Sequence, residues 1–390
     1  MIDDNDPAWV PTILLTFLVI AMTTIIFVFA RIPRKLVVSE LTIYPIKSCG
    51  PMGISSATVT ATGFSHDRFA QISDSEGECL TPRGTANARL FHIRPTLVAG
   101  DDEKSSGSSS SSKLHLDLAY RPSGTDENQP EPFRIRDLEE KLEKSTACVV
   151  TPISGPDVKL VDLGDDVAEW ISNATKINDC RLTAIGSEYR RSVEVNPNQG
   201  EAVPLIRNTE NRSTGDSGRT KNERRTPPVS LADEAPFLLA TTSSLHDLNA
   251  RLGVRGKAPV DMQRFRPNIV VDGTQPWEED TWKRIRIGPA EFEVWQRCGR
   301  CSMTTIDRET LERGPEPLAT LSTFRERDHG QRNFGMHLIP VMPNAGGHEN
   351  FDGNARKDGS PLVVKVGDKL DVLEYHRERL EEWKRLFDRW

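Results

Sequence analysis

Two hydrophobic patterns divide this chain. Pro11 to Ala30 (PTILLTFLVIAMTTIIFVFA) carries no charge, whereas beyond Leu36 the apolar residues come in short runs broken by Gly, Asn, Asp, Ser and Pro. A helix rising about 1.5 Å per residue over such a stretch covers roughly 30 Å, a bilayer core. Asp3, Asp4 and Asp6 precede it and Arg31, Arg34 and Lys35 follow it. That asymmetry, with no small-residue cleavage site, predicts an uncleaved signal anchor with residues 36 to 390 on the cytosolic side.

The later runs read as strands. Leu36 to Ile46 is rich in Val, Leu, Ile and Tyr, Ala57 to Ala61 and Leu114 to Leu118 alternate, and Arg68 to Ser73 leads into a turn at Asp74 to Gly77. Asp165 to Thr175 reads as a short helix with Val167, Trp170 and Ile171 on one face, and Cys180 to Ile185 as a strand. Phe237 to Ala240 with Ser243 to Leu252 reads as a second helical segment stopped at Gly253. Ile269 to Val271, Trp282 to Ile287 and Phe292 to Trp295 read as strands, and Leu362 to Leu373 as a hairpin turning at Gly367 and Asp368. Asp101 to Lys113, Arg121 to Pro132, Glu188 to Val229 and Asn344 to Ser360 are polar loops or inserts. In the tail, Leu380, Trp383, Phe387 and Trp390 share one helical face. Docking on the protein's own domain is favoured for that face over lying on a membrane.

Charge changes this picture little. The 57 acids and 50 bases are mixed along the chain, which excludes the basic stripe of a nucleic-acid binder. Six cysteines are too sparse for a disulfide scaffold and fit a reducing compartment. Only Cys298 and Cys301 lie close together, with Arg297 and Arg300 beside them at the end of an alternating run. A guanidinium favours a thiolate, so this is a candidate reactive site. Spacing alone leaves three readings: a structural or inert pair, a single-thiolate metal or cofactor ligand, and a redox pair. Lys47-Ser48 at a strand end could hold a phosphate or be a solvated terminus, and no Gly-rich loop precedes it.

Several stretches taken in order resemble the MOSC-domain family, and within it the membrane-anchored amidoxime-reducing components. They are Tyr44-Pro45-Ile46-Lys47-Ser48-Cys49, Asp67-Arg68-Phe69, Phe265-Arg266-Pro267-Asn268-Ile269-Val270, Arg300-Cys301-x-x-Thr304-Thr305-Ile306-Asp307, Glu316-Pro317-Leu318-x-Thr320-Leu321 and Val366-Gly367-Asp368. The resemblance implies a mainly β fold with some α (α+β). Residues 1–35 would be the transmembrane anchor, 36–187 a MOSC N-terminal β-rich domain and 188–229 a polar linker. Residues 230–375 would be a MOSC β-barrel and 376–390 an amphipathic helix. It also implies a molybdenum cofactor (molybdopterin), with Cys301 as the metal ligand and catalytic residue and Cys298 left to packing or to supporting the ligand from behind. Lys47, Ser48, Arg68, Arg266, Pro267, Asn268 and Arg300 would hold the pterin and phosphate, Arg300 also favouring the Cys301 thiolate. Asp233 belongs to the same site, but Glu234-Ala235 stand where relatives have Thr-Ser, so both hydroxyls are gone.

The implied activity is reduction of N-hydroxylated substrates such as amidoximes, hydroxylamines and N-oxides. Electrons would come from cytochrome b5 and its flavin reductase, at the mitochondrial outer membrane or the endoplasmic reticulum. A sulfur-carrying MOSC protein is the alternative. The chain has no region resembling a pyridoxal-phosphate desulfurase, which points away from a full cofactor sulfurase.

Overall fold

The computed structural model describes residues 34–100, 113–122, 129–145, 147–152, 157–186, 189, 191, 227–327, 330–342 and 360–387. The anchor expected at Pro11 to Ala30 lies outside them, as does most of the four polar inserts. Among the described residues no helix is long and apolar enough to cross a membrane.

A nine-stranded sheet organises the chain from Leu36 onward. Its order is Leu370–Tyr375, Trp282–Ile287, Ala290–Gly299, Gln331–Pro340, Phe237–Thr241, Ile269–Asp272, Val37–Ile43 and Met52–Ile54, with the short Glu326–Arg327 paired to Gln331–Pro340. Every pairing is antiparallel except Phe237–Thr241 with Ile269–Asp272. A parallel pair needs a crossover, and the helix Thr242–Val254 lies in it. The expected β-barrel is not closed. Leu36 to Val38 bonds Gly367 to Leu370 through a few backbone hydrogen bonds, but the first and last strands do not run side by side.

Residues before 190 add two smaller antiparallel sheets. One runs Ala70–Ser73, Arg181–Ala184, Val158–Asp162, Ala147–Val150; the other runs Ile93–Ala99, Leu114–Tyr120, Phe133–Ile135. The helix Asp165–Thr175 closes their shared core with Val167 and Ile171, as its spacing predicts.

Three sequence readings change. Phe237–Thr241 is a strand rather than the start of a helix. All five of its residues are buried, because apolar clusters cover both faces of the sheet there. Such a strand has no period to distinguish it from helix. The helix begins only at Thr242, after Thr241 accepts from the Ser244 backbone as N-cap. Leu362 to Leu373 does turn at Gly367, whose φ is 90°. Its two strands nevertheless join different sheets, Val363–Lys365 pairing with Ser56–Thr60 and Leu370–Tyr375 with Trp282–Ile287. Finally, Gln331–Pro340, a ten-residue strand, gave no clear signal because Gly335 interrupts it. Gly335 has φ 80°, and a Cβ there would lie 2.7 Å from the Leu239 carbonyl oxygen.

The tail helix Arg377–Phe387 docks on the protein. Trp383 joins the cluster around Trp277 and Phe334, and its indole donates to the Pro276 carbonyl at 3.0 Å.

Candidate active site

The strand Ala290–Gly299 buries Ala290, Phe292 and Val294 in strict alternation, then slips register against Gln331–Pro340 between Val294 and Gln296 and again between Arg297 and Gly299. Such irregularities bend a strand and re-aim its side chains. Cys298 is buried in consequence, while Cys301, just past the strand end, is exposed. Arg300 Nη1 donates to Cys298 Sγ at 2.7 Å and Nη2 to the Phe265 carbonyl at 2.6 Å. Arg300 therefore acts on Cys298, not on Cys301 as expected from adjacency. Extended backbone places residues two apart on one side and neighbours on opposite sides. Arg83 takes that place at Cys301, its Nη2 lying 3.7 Å from Sγ.

Burial opposes ionisation of Cys298, but the Arg300 charge and then His337 outweigh it and hold the thiol below its ordinary pKa. Burial likewise opposes the His337 cation, while Cys298 and Glu234 raise it above the usual imidazole value. His337 Nδ1 lies 3.5 Å from a Glu234 carboxylate oxygen. Glu234 therefore has a partner in this chain, which the loss of the expected hydroxyls did not suggest.

Both thiols line a cavity of about 190 Å³ whose wall includes Arg68, Arg83, Arg264, Arg266, Arg300 and Arg308. The carboxylates do not match them. Arg68 meets Asp67, and Arg264 Nη2 meets Asp307 at 2.6 Å. Arg266 instead donates to the Cys49 carbonyl at 2.6 Å, and Arg308 to the Arg264 carbonyl at 3.1 Å while stacking on Phe91. Nε and Nη1 of Arg308 and Nε of Arg264 and Arg300 are buried without a hydrogen-bond partner among the described residues. Burial pushes Arg266 down to about 10, and burial and then the Arg266 charge push Arg308 down to about 9. Buried, unmatched guanidiniums are costly, and an oxyanion in the cavity is the group that relieves them.

The residues expected from the sequence divide into two sets. Arg68, Asp233, Arg266, Asn268, Arg300 and Cys301 line the cavity; Lys47, Ser48 and Pro267 stand behind its wall. Lys47 is buried and bonds Asp233 at 2.5 Å. Burial disfavours the Asp233 carboxylate, yet Lys47 outweighs it and keeps the carboxyl below its usual range. The Pro267 carbonyl accepts from the Tyr44 hydroxyl at 3.4 Å. Asn268 laces strands together, accepting from the Leu238 amide at 3.2 Å and donating to the Thr42 carbonyl at 3.1 Å. Ser48, Arg68 and Arg266 adopt φ of 69°, 49° and 56°. Non-glycine residues in that region are uncommon and gather at functional sites. Tyr44 carries both arginines on its ring, Arg266 at 4.0 Å and Arg68 at 4.9 Å from the centroid.

Arg83, Arg264, Arg308 and His337 complete the wall and were not singled out by the sequence. Arg264, two residues before Arg266, was the most accessible of them. His337 was not, since its strand was unread.

Residues 35–178 match the family described as MOSC N-terminal beta barrel domain, and residues 226–371 match the MOSC domain. The chain belongs to the MOSC-domain family. This MOSC protein is 29% identical over 353 residues to mitochondrial amidoxime-reducing component 1 of Mus musculus, covering 88% of this chain and 84% of that one. It is 28% identical to mitochondrial amidoxime reducing component 2 of Homo sapiens, covering 84% of this chain and 85% of that one. It is 26% identical to molybdenum cofactor sulfurase of Danio rerio, covering 85% of this chain but 35% of that longer protein. Among solved structures it is similar to YiiM from Geobacillus stearothermophilus, at 16% identity and a TM-score of 0.24, covering 36% of this chain and 55% of that one.

Proposed function

We propose that this MOSC protein is an oxidoreductase that holds a molybdenum cofactor and reduces N-hydroxylated compounds: amidoximes, hydroxylamines and N-oxides. One observation carries the reading. A cavity whose wall includes two guanidiniums held by carbonyls rather than carboxylates, those of Arg266 and Arg308, opens beside the exposed thiol of Cys301. That donor set, cations at one part and a soft sulfur donor at another, fits a group with a phosphate and a thiophilic metal.

Arg266, Arg308 and Arg264 would neutralise the phosphate, with Arg68 and Asn268 orienting the pterin and Cys301 ligating the metal. Lys47 keeps Asp233 ionised and fixed in the wall rather than reaching the phosphate itself. When bound, the cofactor supplies the two-electron chemistry. Cytochrome b5 and its flavin reductase are the proposed donors. Pro11 to Ala30 is the proposed anchor, in the mitochondrial outer membrane with the endoplasmic reticulum as the other candidate, the amidoxime-reducing relatives being named mitochondrial.

The test is metal analysis with turnover on an amidoxime. We expect about one molybdenum per chain in the purified protein, and loss of both metal and activity in Cys301→Ala. Full metal content and full turnover in that variant would overturn the reading. Sulfur carrying is the second reading, favoured by the lowered pKa of Cys298 and the likeness to a sulfurase. Reductase turnover by a molybdenum-loaded chain excludes a pure carrier.

A further inference from the structure

Cys298, His337 and Glu234 come from three separate parts of the chain and meet at the cavity wall. Cys298 sits on Ala290–Gly299, His337 on the neighbouring strand Gln331–Pro340, directly opposite Gln296, and Glu234 in the loop before Phe237–Thr241. The strand pairing fixes the first two rigidly. Both His337 and Cys298 line the cavity and act on each other electrostatically, and His337 Nδ1 faces Glu234 at 3.5 Å and the Gln296 side-chain amide at 3.4 Å. Cys298 has Arg300 on its other side at 2.7 Å. The groups acting on the imidazole are thus one thiol, one carboxylate and one guanidinium, with a neutral amide beside them.

The proposed reaction needs protons as well as electrons. For a hydroxylamine, R–NH–OH + 2 e⁻ + 2 H⁺ gives R–NH₂ + H₂O: the N–O bond breaks, an N–H and an O–H bond form, and the nitrogen is reduced by the electrons of the donor protein. Most charged groups around the cavity are poor sources of those protons. Guanidiniums do not release protons near neutrality, and Asp233 is held ionised by Lys47. His337 is the exception, an imidazole in the cavity wall beside Cys298. Glu234 is 46% exposed, so the side chain beside His337 is in contact with solvent.

We propose that His337, backed by Glu234 and coupled to Cys298, delivers protons to the leaving oxygen of the substrate, so that Glu234 replaces the missing hydroxyl wall with a route to solvent. This rests on the reductase reading. Histidine suits the role because its ordinary titration range spans neutrality, and a raised value keeps the cation present at pH 7.

The experiment has two arms on the full chain. Histidine NMR of the protein as purified follows the His337 resonance, assigned by its loss in His337→Gln. We expect it to titrate above the ordinary value of about 6.5 and to fall in Glu234→Gln. Turnover of an amidoxime by molybdenum-loaded protein is then followed against pH. We expect the wild-type kcat to decline above neutrality, and His337→Gln to lower kcat on the order of 10²-fold with KM and metal content unchanged and to remove that decline. A loaded, active wild type whose pH profile survives in His337→Gln overturns the relay alone, as does an unshifted His337 resonance. A loaded wild type without turnover overturns both the relay and the reductase reading.

Discussion

Arg308 shows at the scale of one residue how a site can cost the fold that carries it. Its head lies over the Phe91 ring, 8% exposed, with two nitrogens lacking partners among the described residues and Arg266 close enough to repel it. Without an oxyanion this is a liability. Arg308→Met keeps the aliphatic volume and removes the charge, so the cofactor-free protein is expected to gain on the order of 1–2 kcal/mol. The loaded variant is expected to lose cofactor faster on dilution. Urea unfolding and metal retention measure the two effects. Equal stability in the cofactor-free forms would mean the guanidinium is already compensated. No spacing in the sequence marks Arg308, because its importance comes from an unbalanced charge count around a cavity. Lys47 is the reverse case: legible as a cation at a strand end, it is already neutralised by Asp233.

At the scale of elements, the strands that carry the thiols depend on a few irregular residues. Gly335 sits at φ 80° with the Leu239 carbonyl oxygen 2.7 Å from any added Cβ. Gly335→Ala is expected to cost about 1–3 kcal/mol. Because Gln331–Pro340 also carries His337, the variant should shift the His337 resonance while it is still folded. A thermal melt and an NMR spectrum check both statements. The alternating strands, the helix Asp165–Thr175 and the turn at Gly367 were legible because their patterns have a period or a glycine to mark them. Phe237–Thr241 was misread because burial on both faces erases the period, and Gln331–Pro340 was missed because glycine breaks it. The cavity inherits that error. Cys301 and Arg266 could be proposed from their motifs, whereas the Cys298–His337–Glu234 contact depended on the unread strand.

For the whole molecule, a buried charge cluster under the sheet makes stability depend on pH. Asp280 accepts two hydrogen bonds from Arg325, at 2.7 and 3.0 Å, and one from Arg297 at 3.1 Å. Burial opposes its ionisation, but the two arginines outweigh it and keep the carboxyl far below its usual range. Next to it, burial and then the Asp280 charge push Glu279 up to about 7, from an ordinary 4.5. Between those values the folded chain holds a proton that the unfolded chain has released. This contribution is full below about pH 4.5 and is lost as pH rises through 7. Asp280 is ionised in both states across that window and adds no slope. Glu279 accepts from Ser244 at 2.7 Å and Thr241 at 3.2 Å, so Glu279→Gln keeps most of the geometry. The variant is expected to flatten the dependence of the urea midpoint on pH between 4.5 and 7 relative to the wild type. An unchanged slope would show that Glu279 is already ionised throughout.

The sheet order also sets a schedule for biosynthesis. Val37–Ile43 lies between Met52–Ile54 and Ile269–Asp272, and Ser39 donates to the Val270 carbonyl 231 residues downstream. Contacts of that separation require loop closure before they repay it, so they form late. Val37–Ile43 must therefore wait, half-paired, until the strand Ile269–Asp272 has been made. Gln331–Pro340, which separates the thiol strand from the strand at 237–241, emerges later still. The cavity cannot exist on a nascent chain, and whatever fills it is inserted into a finished protein.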